Sequence, residues 1–259
     1  MEKRRDRVVQ LGSPNRQTDS MQSLPIERVF REPEVTLSTR TWPGSLACVR
    51  QVLDAGLDVG PLTVLVGENG SGKSTLVEGI AQAYGLSAEG GSTGARNSTR
   101  ATESALWQSL GLSRGIGASR WGFFLRAETM HGFYSYLEAN PTTRSEPVFH
   151  EMSHGESFLE ILADRFTSPG LYVLDEPESA LSFTGCLSLV ELLHNIAHSG
   201  TMQAIVATHS PLIAATPGAR ILEVGEWGLR EQAWEELELV QHWRGFLGNP
   251  DLYLRHIIN

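Results

Sequence analysis

The octapeptide Gly67-Glu68-Asn69-Gly70-Ser71-Gly72-Lys73-Ser74 constrains this chain more than any other feature. It fits G-x-x-x-x-G-K-[ST], and its flanks supply the context the pattern requires. The short, apolar, β-branched run Leu62 to Val66 before it reads as a buried strand. The segment Ser74 to Tyr84 after it reads as a helix with Leu76, Ile80 and Ala83 on one face and Gly85 as its C-terminal glycine. Glycines let backbone N–H groups turn inward around phosphate oxygens, and a helix N-terminus adds partial positive charge. Lys73 can then reach the β- and γ-phosphates, Ser74 would place a hydroxyl on Mg2+, and Gly67, Asn69, Gly70, Ser71, Gly72 and Thr75 complete the predicted cradle.

The second chemical signal is Leu171-Tyr172-Val173-Leu174-Asp175-Glu176-Pro177-Glu178, an apolar strand that delivers adjacent acids at its C-terminal end. Open α/β sheets bind ligands at that end. Asp175 is suited to hold Mg2+ through water, and Glu176 to orient or deprotonate a water that attacks the γ-phosphorus. A third strand, Ala204 to Ala207, ends in Thr208-His209-Ser210, which brings His209 to the same edge for a polar contact with the γ-phosphate or the water.

The rest of the pattern supports an α/β domain with a mostly parallel sheet flanked by helices. Trp121 to Leu125 and Ile221 to Val224 read as further strands, Cys186 to Ala197 as a helix, and Glu103 to Leu110 as a short helix. Glu89 to Arg100 and Gly111 to Gly117 read as loops. Residues 129–168 read as a small helical subdomain, residues 1–30 as a polar, basic, weakly ordered lead-in, and residues 31–259 as one domain.

Composition narrows the function classes. With 41% hydrophobic and 20% charged residues over 259, the chain has the balance of a globular protein. Cys48 and Cys186 are far apart, so neither a disulfide framework nor a cysteine zinc site is expected. No apolar stretch approaches the roughly 20 residues needed to cross a bilayer, and no apolar region follows the charged start, so a cytoplasmic location is expected. A net charge of −9 argues against a general polyanion-binding surface. Nucleic acid is therefore not indicated as a partner, and Lys3, Arg4, Arg5, Arg7 and Arg16 read as a solvated tail.

With these motifs the chain resembles the ABC-type ATPases, in particular the stand-alone heads related to the SMC and recombination-repair ATPases. The resemblance covers the chain from about Val35 onward. It implies a P-loop NTPase head with ATP and Mg2+ as ligands and ATP hydrolysis as the activity, the ATP being shared between two chains of a head-to-tail dimer. Ser153-His154-Gly155-Glu156 resembles a degenerate signature motif, with Ser153 and Gly155 contacting the nucleotide of the partner chain and His154 replacing the first signature glycine. Ser179-Ala180-Leu181-Ser182 resembles the D-loop, and His209 matches the switch histidine. At the Q-loop, which usually carries glutamine, Glu128 is the positional candidate as a metal or water ligand. No aromatic platform for adenine stands out; Trp42 lies upstream at a suitable distance and reads as a core residue.

The resemblance implies a protein partner as well, and a transport subunit is disfavoured because the degenerate signature is closer to the stand-alone heads. A nucleotide-dependent switch with little turnover is the alternative, and Glu176 and His209 weigh against it. A small-molecule kinase has no use for a serine supplied in trans. DNA maintenance, phage defence and toxin control all use such heads, and nothing in the chain chooses among them.

Overall fold

The computed structural model describes residues 23–88, 90–92, 104–126, 162, 166–255 and 257–258. Its main sheet is organised around strand β3 (Leu62–Val66), all of whose residues are buried. One parallel neighbour of β3 is β8 (Met202–Thr208), which in turn pairs in parallel with β7 (Gly170–Asp175). The other parallel neighbour is β9 (Arg220–Gly225). Strand β6 (Gly122–Arg126) extends the parallel run beyond β7. Antiparallel pairs close both edges, β4 (Gly91–Ser92) on β6 and β10 (Gly228–Glu231) on β9. The order is β10-β9-β3-β8-β7-β6-β4.

Both faces of such a sheet must be covered, which explains why β3 carries apolar residues on both faces instead of alternating, with Thr63, which accepts from the Gly60 N–H, as its one polar residue. Leu65 points into a core shared with α1 (Ala47–Ala55) and α2 (Lys73–Tyr84), whose Val52, Leu76 and Ile80 are almost completely buried. Leu62, Val64 and Val66 point into a second core, covered by Leu189, Leu193 and Ile196 of α3 (Phe183–His198). A short helix α4 (Pro211–Ala214) follows β8, and α5 (Glu238–Gly248) and α6 (Asp251–Leu254) follow β10.

Several expected boundaries move. The lead-in expected through residue 30 gives way earlier to structure, because Ile26 and Val29 are fully buried. Residues Arg28–Arg31 form β1, the middle strand of a small antiparallel sheet with β2 (Leu57–Asp58) and β5 (Leu110–Ser113). The physical cause is distant in sequence: Gln203, completely buried in β8, accepts from the Ile26 N–H at 2.9 Å and donates to Ile26 O and Gly60 O at 2.7 and 2.9 Å. The loop expected from Gly111 contains β5 for the same reason, since its pairing partner lies far away. The short helix expected before it is a single 3-10 turn at Ala105–Ser109, capped by the Ser104 hydroxyl. Cys48 and Cys186 are both free and buried.

Candidate active site

The phosphate loop leaves β3 at Gly67 and enters α2 at Lys73. Two of its glycines are required by geometry. A Cβ at Gly67 would fall 2.2 Å from the carbonyl oxygen of Val224, so the loop can lie against β9 only without a side chain. Gly72 has φ 101, a left-handed conformation that glycine adopts without penalty, and a Cβ there would lie 2.7 Å from Cys48 Sγ. The Cys48 thiol in turn donates to Ser71 O at 3.5 Å, and burial pushes its pKa up, which keeps it a neutral packing group. Ser71 Oγ is buried with no hydrogen-bond partner among the described residues. A buried hydroxyl left in this way has the chemistry to meet a phosphate oxygen.

Lys73 is nearly buried, yet every donor of its ammonium has a neighbour. Nζ donates to Gly67 O at 2.8 Å and Glu68 O at 3.0 Å and lies 3.0 Å from His209 Nε2. Burial lowers its pKa, and the carboxylates of Glu176, Asp175, Glu178 and Glu68 pull in the opposite direction without cancelling that effect. The side chain is thus a partly desolvated cation among acids, poised for a more highly charged partner.

Parallel register places the acids beside it. Asp175 ends β7 at the level of Ala207 on β8 and Arg126 on β6. The Arg126 guanidinium donates to Glu78 of α2 at 2.9 Å and lies 3.6 Å from Asp175 Oδ2, so one cation serves two nearly buried carboxylates. The next residue turns sharply: Glu176 has φ 50 and ψ 49, and it is the only non-glycine with positive φ among the described residues. Strain of this kind persists where surrounding bonds over-determine the backbone. Here the Glu176 N–H donates to Ala207 O at 2.9 Å, and its carbonyl accepts from Ser179 Oγ at 2.9 Å. The turn aims the Glu176 carboxylate at His209, whose Nε2 is 3.0 Å from Glu176 Oε1. The backbone N–H of His209 donates to Glu178 Oε1, which locks the two strand ends together.

His209 Nε2 therefore faces a cation on one side and a carboxylate on the other. A neutral imidazole nitrogen either donates or accepts. Protonated, Nε2 suits Glu176 and opposes Lys73; unprotonated, it suits Lys73 and opposes Glu176. An anionic group entering between Lys73 and His209 removes the conflict, since both could then donate to it.

Of the predicted site residues, Lys73, Asp175, Glu176 and His209 converge, and Ser74 and Thr75 lie in the first turn of α2 directly beside them. Glu128, Ser153, His154 and Gly155 lie outside the described residues, as does most of the predicted helical subdomain; Leu162 and Phe166, at its end, pack into the second core. Of the D-loop-like segment, Ser179 and Ala180 close a 3-10 turn at Pro177–Ala180, Leu181 is extended, and the Ser182 hydroxyl caps α3 by accepting from Gly185 N–H. Trp42 is corrected: with 57% of its surface exposed it is not a core residue. Ser38 to Thr41, just before it, are exposed as well, while Leu37 keeps contact with the first core. Arg126 was not singled out from the sequence, although a basic residue closing a strand next to an acidic one is a readable sign. A cavity of about 610 Å3 beside the outer side of the loop, lined by Arg50, Glu226 and Trp227 among others, was not foreseen either.

Residues 51–179 match the family model described as ABC transporter. Over 168 residues the chain is 29% identical to the zinc import ATP-binding protein ZnuC 1 of Aliivibrio fischeri, a match covering 62% of this chain and 64% of that protein. Over 171 residues it is 30% identical to ZnuC of Vibrio vulnificus, covering 62% of each. The chain thus spans less than two thirds of the length of these curated relatives. Among solved structures, the SMC head domain from Thermotoga maritima is similar with a TM-score of 0.40 and 16% identity, covering 69% of this chain and 93% of that one.

Proposed function

We propose that this chain, whose residues 51–179 match the ABC transporter family model, acts as an ABC-type ATPase that binds Mg-ATP at Gly67 to Thr75 and hydrolyses its γ-phosphate. The observation that carries the reading is the contact of Lys73, His209 and Glu176 at 3.0 Å steps beside the buried Asp175. A hydroxyl at Ser74 and a carboxylate at Asp175 are hard oxygen donors of the kind Mg2+ takes, and the ion would add positive charge at the β- and γ-phosphate oxygens.

The protein's own groups supply the remaining chemistry. Lys73 exchanges its carbonyl and imidazole contacts for phosphate oxygens, gaining charge-assisted bonds. His209 then presents its Nε2–H to the γ-phosphate and to Glu176. Glu176 accepts a proton from water as the water oxygen bonds to the γ-phosphorus. The bond from that phosphorus to the β,γ-bridging oxygen breaks, its electron pair leaves with ADP, and the proton passes on to phosphate or solvent. Glu128 is the Q-loop candidate in this scheme, and Ser153 and Gly155 of a second copy would complete the site in an ATP-dependent dimer. The curated relatives are ATP-binding proteins of zinc import, which favours a transport partner on another chain over the DNA-related processes.

The test is calorimetric. Lys73→Ala should lose ATP affinity on the order of 10²-fold while its thermal unfolding stays cooperative. Unchanged Mg-ATP affinity in that variant would overturn the phosphate-loop assignment.

A further inference from the structure

Strand β3 divides the ligand-binding edge of the sheet into two flanks. The groups that act on a γ-phosphate, Asp175, Glu176 and His209, end β7 and β8 on one side. On the other side, where β9 ends and β10 begins, the 610 Å3 cavity opens between the phosphate loop, the start of α1, the β9–β10 hairpin and the start of α5. A triphosphate is a linear chain. With its γ end among Lys73, His209 and Glu176, its α-phosphate and sugar are directed towards the opposite flank.

We infer that this cavity holds the nucleoside half of the nucleotide, and that the β9–β10 hairpin, through Trp227 and Glu226, recognises a purine base with an exocyclic amine. The inference rests on the phosphate-loop reading and adds to it the place and the chemistry of base recognition. The cavity shares Val66 to Ser71 with the loop, so a ligand can occupy both without a gap. Its volume lies within the roughly 300–1,000 Å3 of small-molecule sites.

The hairpin wall is built to stay in place. The Arg230 guanidinium lies 3.8 Å from the Trp227 ring centroid, and Gly225 approaches the ring so closely that a Cβ there would come within 2.5 Å of it. Arg230 is itself held by the buried Glu223 at 2.6 Å and by Glu238 at 3.3 Å. A side chain immobilised before the ligand arrives loses little entropy on binding. Leu46 and Leu239 supply apolar lining, and Glu226, exposed in the hairpin turn, supplies a carboxylate. An ionised carboxylate only accepts hydrogen bonds. It therefore suits the N6 amine of adenine and opposes the O6 carbonyl of hypoxanthine. Trp42, exposed elsewhere, is not part of the lining.

Calorimetry with Mg2+ present and three probes, ATP, ITP and tripolyphosphate, tests this. The wild-type protein should bind ATP about tenfold or more tightly than either other probe. Trp227→Ala should bring ATP close to the tripolyphosphate level while tripolyphosphate affinity stays unchanged, and Trp227→Phe should recover part of the loss. Glu226→Gln should narrow the preference for ATP over ITP, because an amide can donate to O6. If Trp227→Ala also weakens tripolyphosphate, the hairpin change has reached the loop, and the ATP to ITP ratio in Glu226→Gln decides. The cavity assignment is overturned if that ratio stays at its wild-type value, if Trp227→Ala keeps full ATP affinity, or if Trp42→Ala takes the loss instead. Tripolyphosphate bound undiminished by Lys73→Ala would overturn the phosphate-loop reading, a result distinct from all of these.

Discussion

The two flanks of β3 are built on opposite plans. Towards β7 and β8 the polar groups crowd one another: Lys73 and Glu176 share one imidazole nitrogen, Arg126 serves Glu78 and Asp175, and Glu176 holds a left-handed backbone. Towards β9 and β10 the charged side chains pair among themselves, Glu223 with Arg230, and leave an open cavity with a rigid aromatic wall. The crowded flank stores unfavourable contacts that a charged ligand would relieve, whereas the open flank is prepared for shape and hydrogen bonds. The difference teaches that conflict among charges belongs where a reaction must be driven, and preorganisation belongs where a ligand need only be recognised.

The largest expected effect on this contrast comes from Arg126→Met. Removing the guanidinium leaves Glu78 and Asp175, both nearly buried, without the cation that lies between them. The loss of stability should be about 2 kcal/mol, reduced from the value for a fully buried pair because a quarter of the Arg126 side chain is exposed. Urea titration measures it, and a change within error of zero would mean that the crowding carries no electrostatic weight.

Next in size is the strain at Glu176. Asparagine tolerates the left-handed region, so Glu176→Asn should stabilise the fold by about 1 kcal/mol while abolishing most turnover. A variant that is both less stable and inactive would remove the strain from the account.

The smallest effect concerns the interior of β7. The Tyr172 hydroxyl donates to Ser168 O at 2.7 Å and accepts from the Ser168 N–H at 3.2 Å; burial pushes its pKa up to about 12 from 10.0, the Ser168 N–H opposing this. A phenol whose folded pKa is raised contributes stability that is complete below pH 10 and is lost as pH rises through 12. The difference in Tm between wild type and Tyr172→Phe should accordingly shrink over that window and be constant below it.

How far the sequence revealed these features depends on how local their causes are. The loop at Gly67 to Ser74, the acids at Asp175 and Glu176 and the histidine at 209 each follow a short apolar run, so pattern and context sit within a few residues. Strand β1 was missed because it pairs with β2 and β5, and the Gln203 amide anchors Ile26 just before it, none of which a window around Arg28 contains. Arg126 became meaningful only when parallel register set it opposite Asp175. Trp42 was read as core because tryptophan usually is, and its exposure depends on what fails to cover it. The hairpin site had a readable clue in Gly225-Glu226-Trp227-Gly228, a turn between strand-like runs with an aromatic at its tip, but its nearness to the phosphate loop is a consequence of β9 lying next to β3.

The central claim is that the crowded flank performs hydrolysis with Glu176 as base. Single-turnover phosphate release from Mg-ATP, compared between wild type and Glu176→Gln, tests it most directly. The account predicts that Glu176→Gln binds ATP with wild-type affinity and releases phosphate slower by about 10²-fold or more. Release from Glu176→Gln at close to the wild-type rate would contradict it.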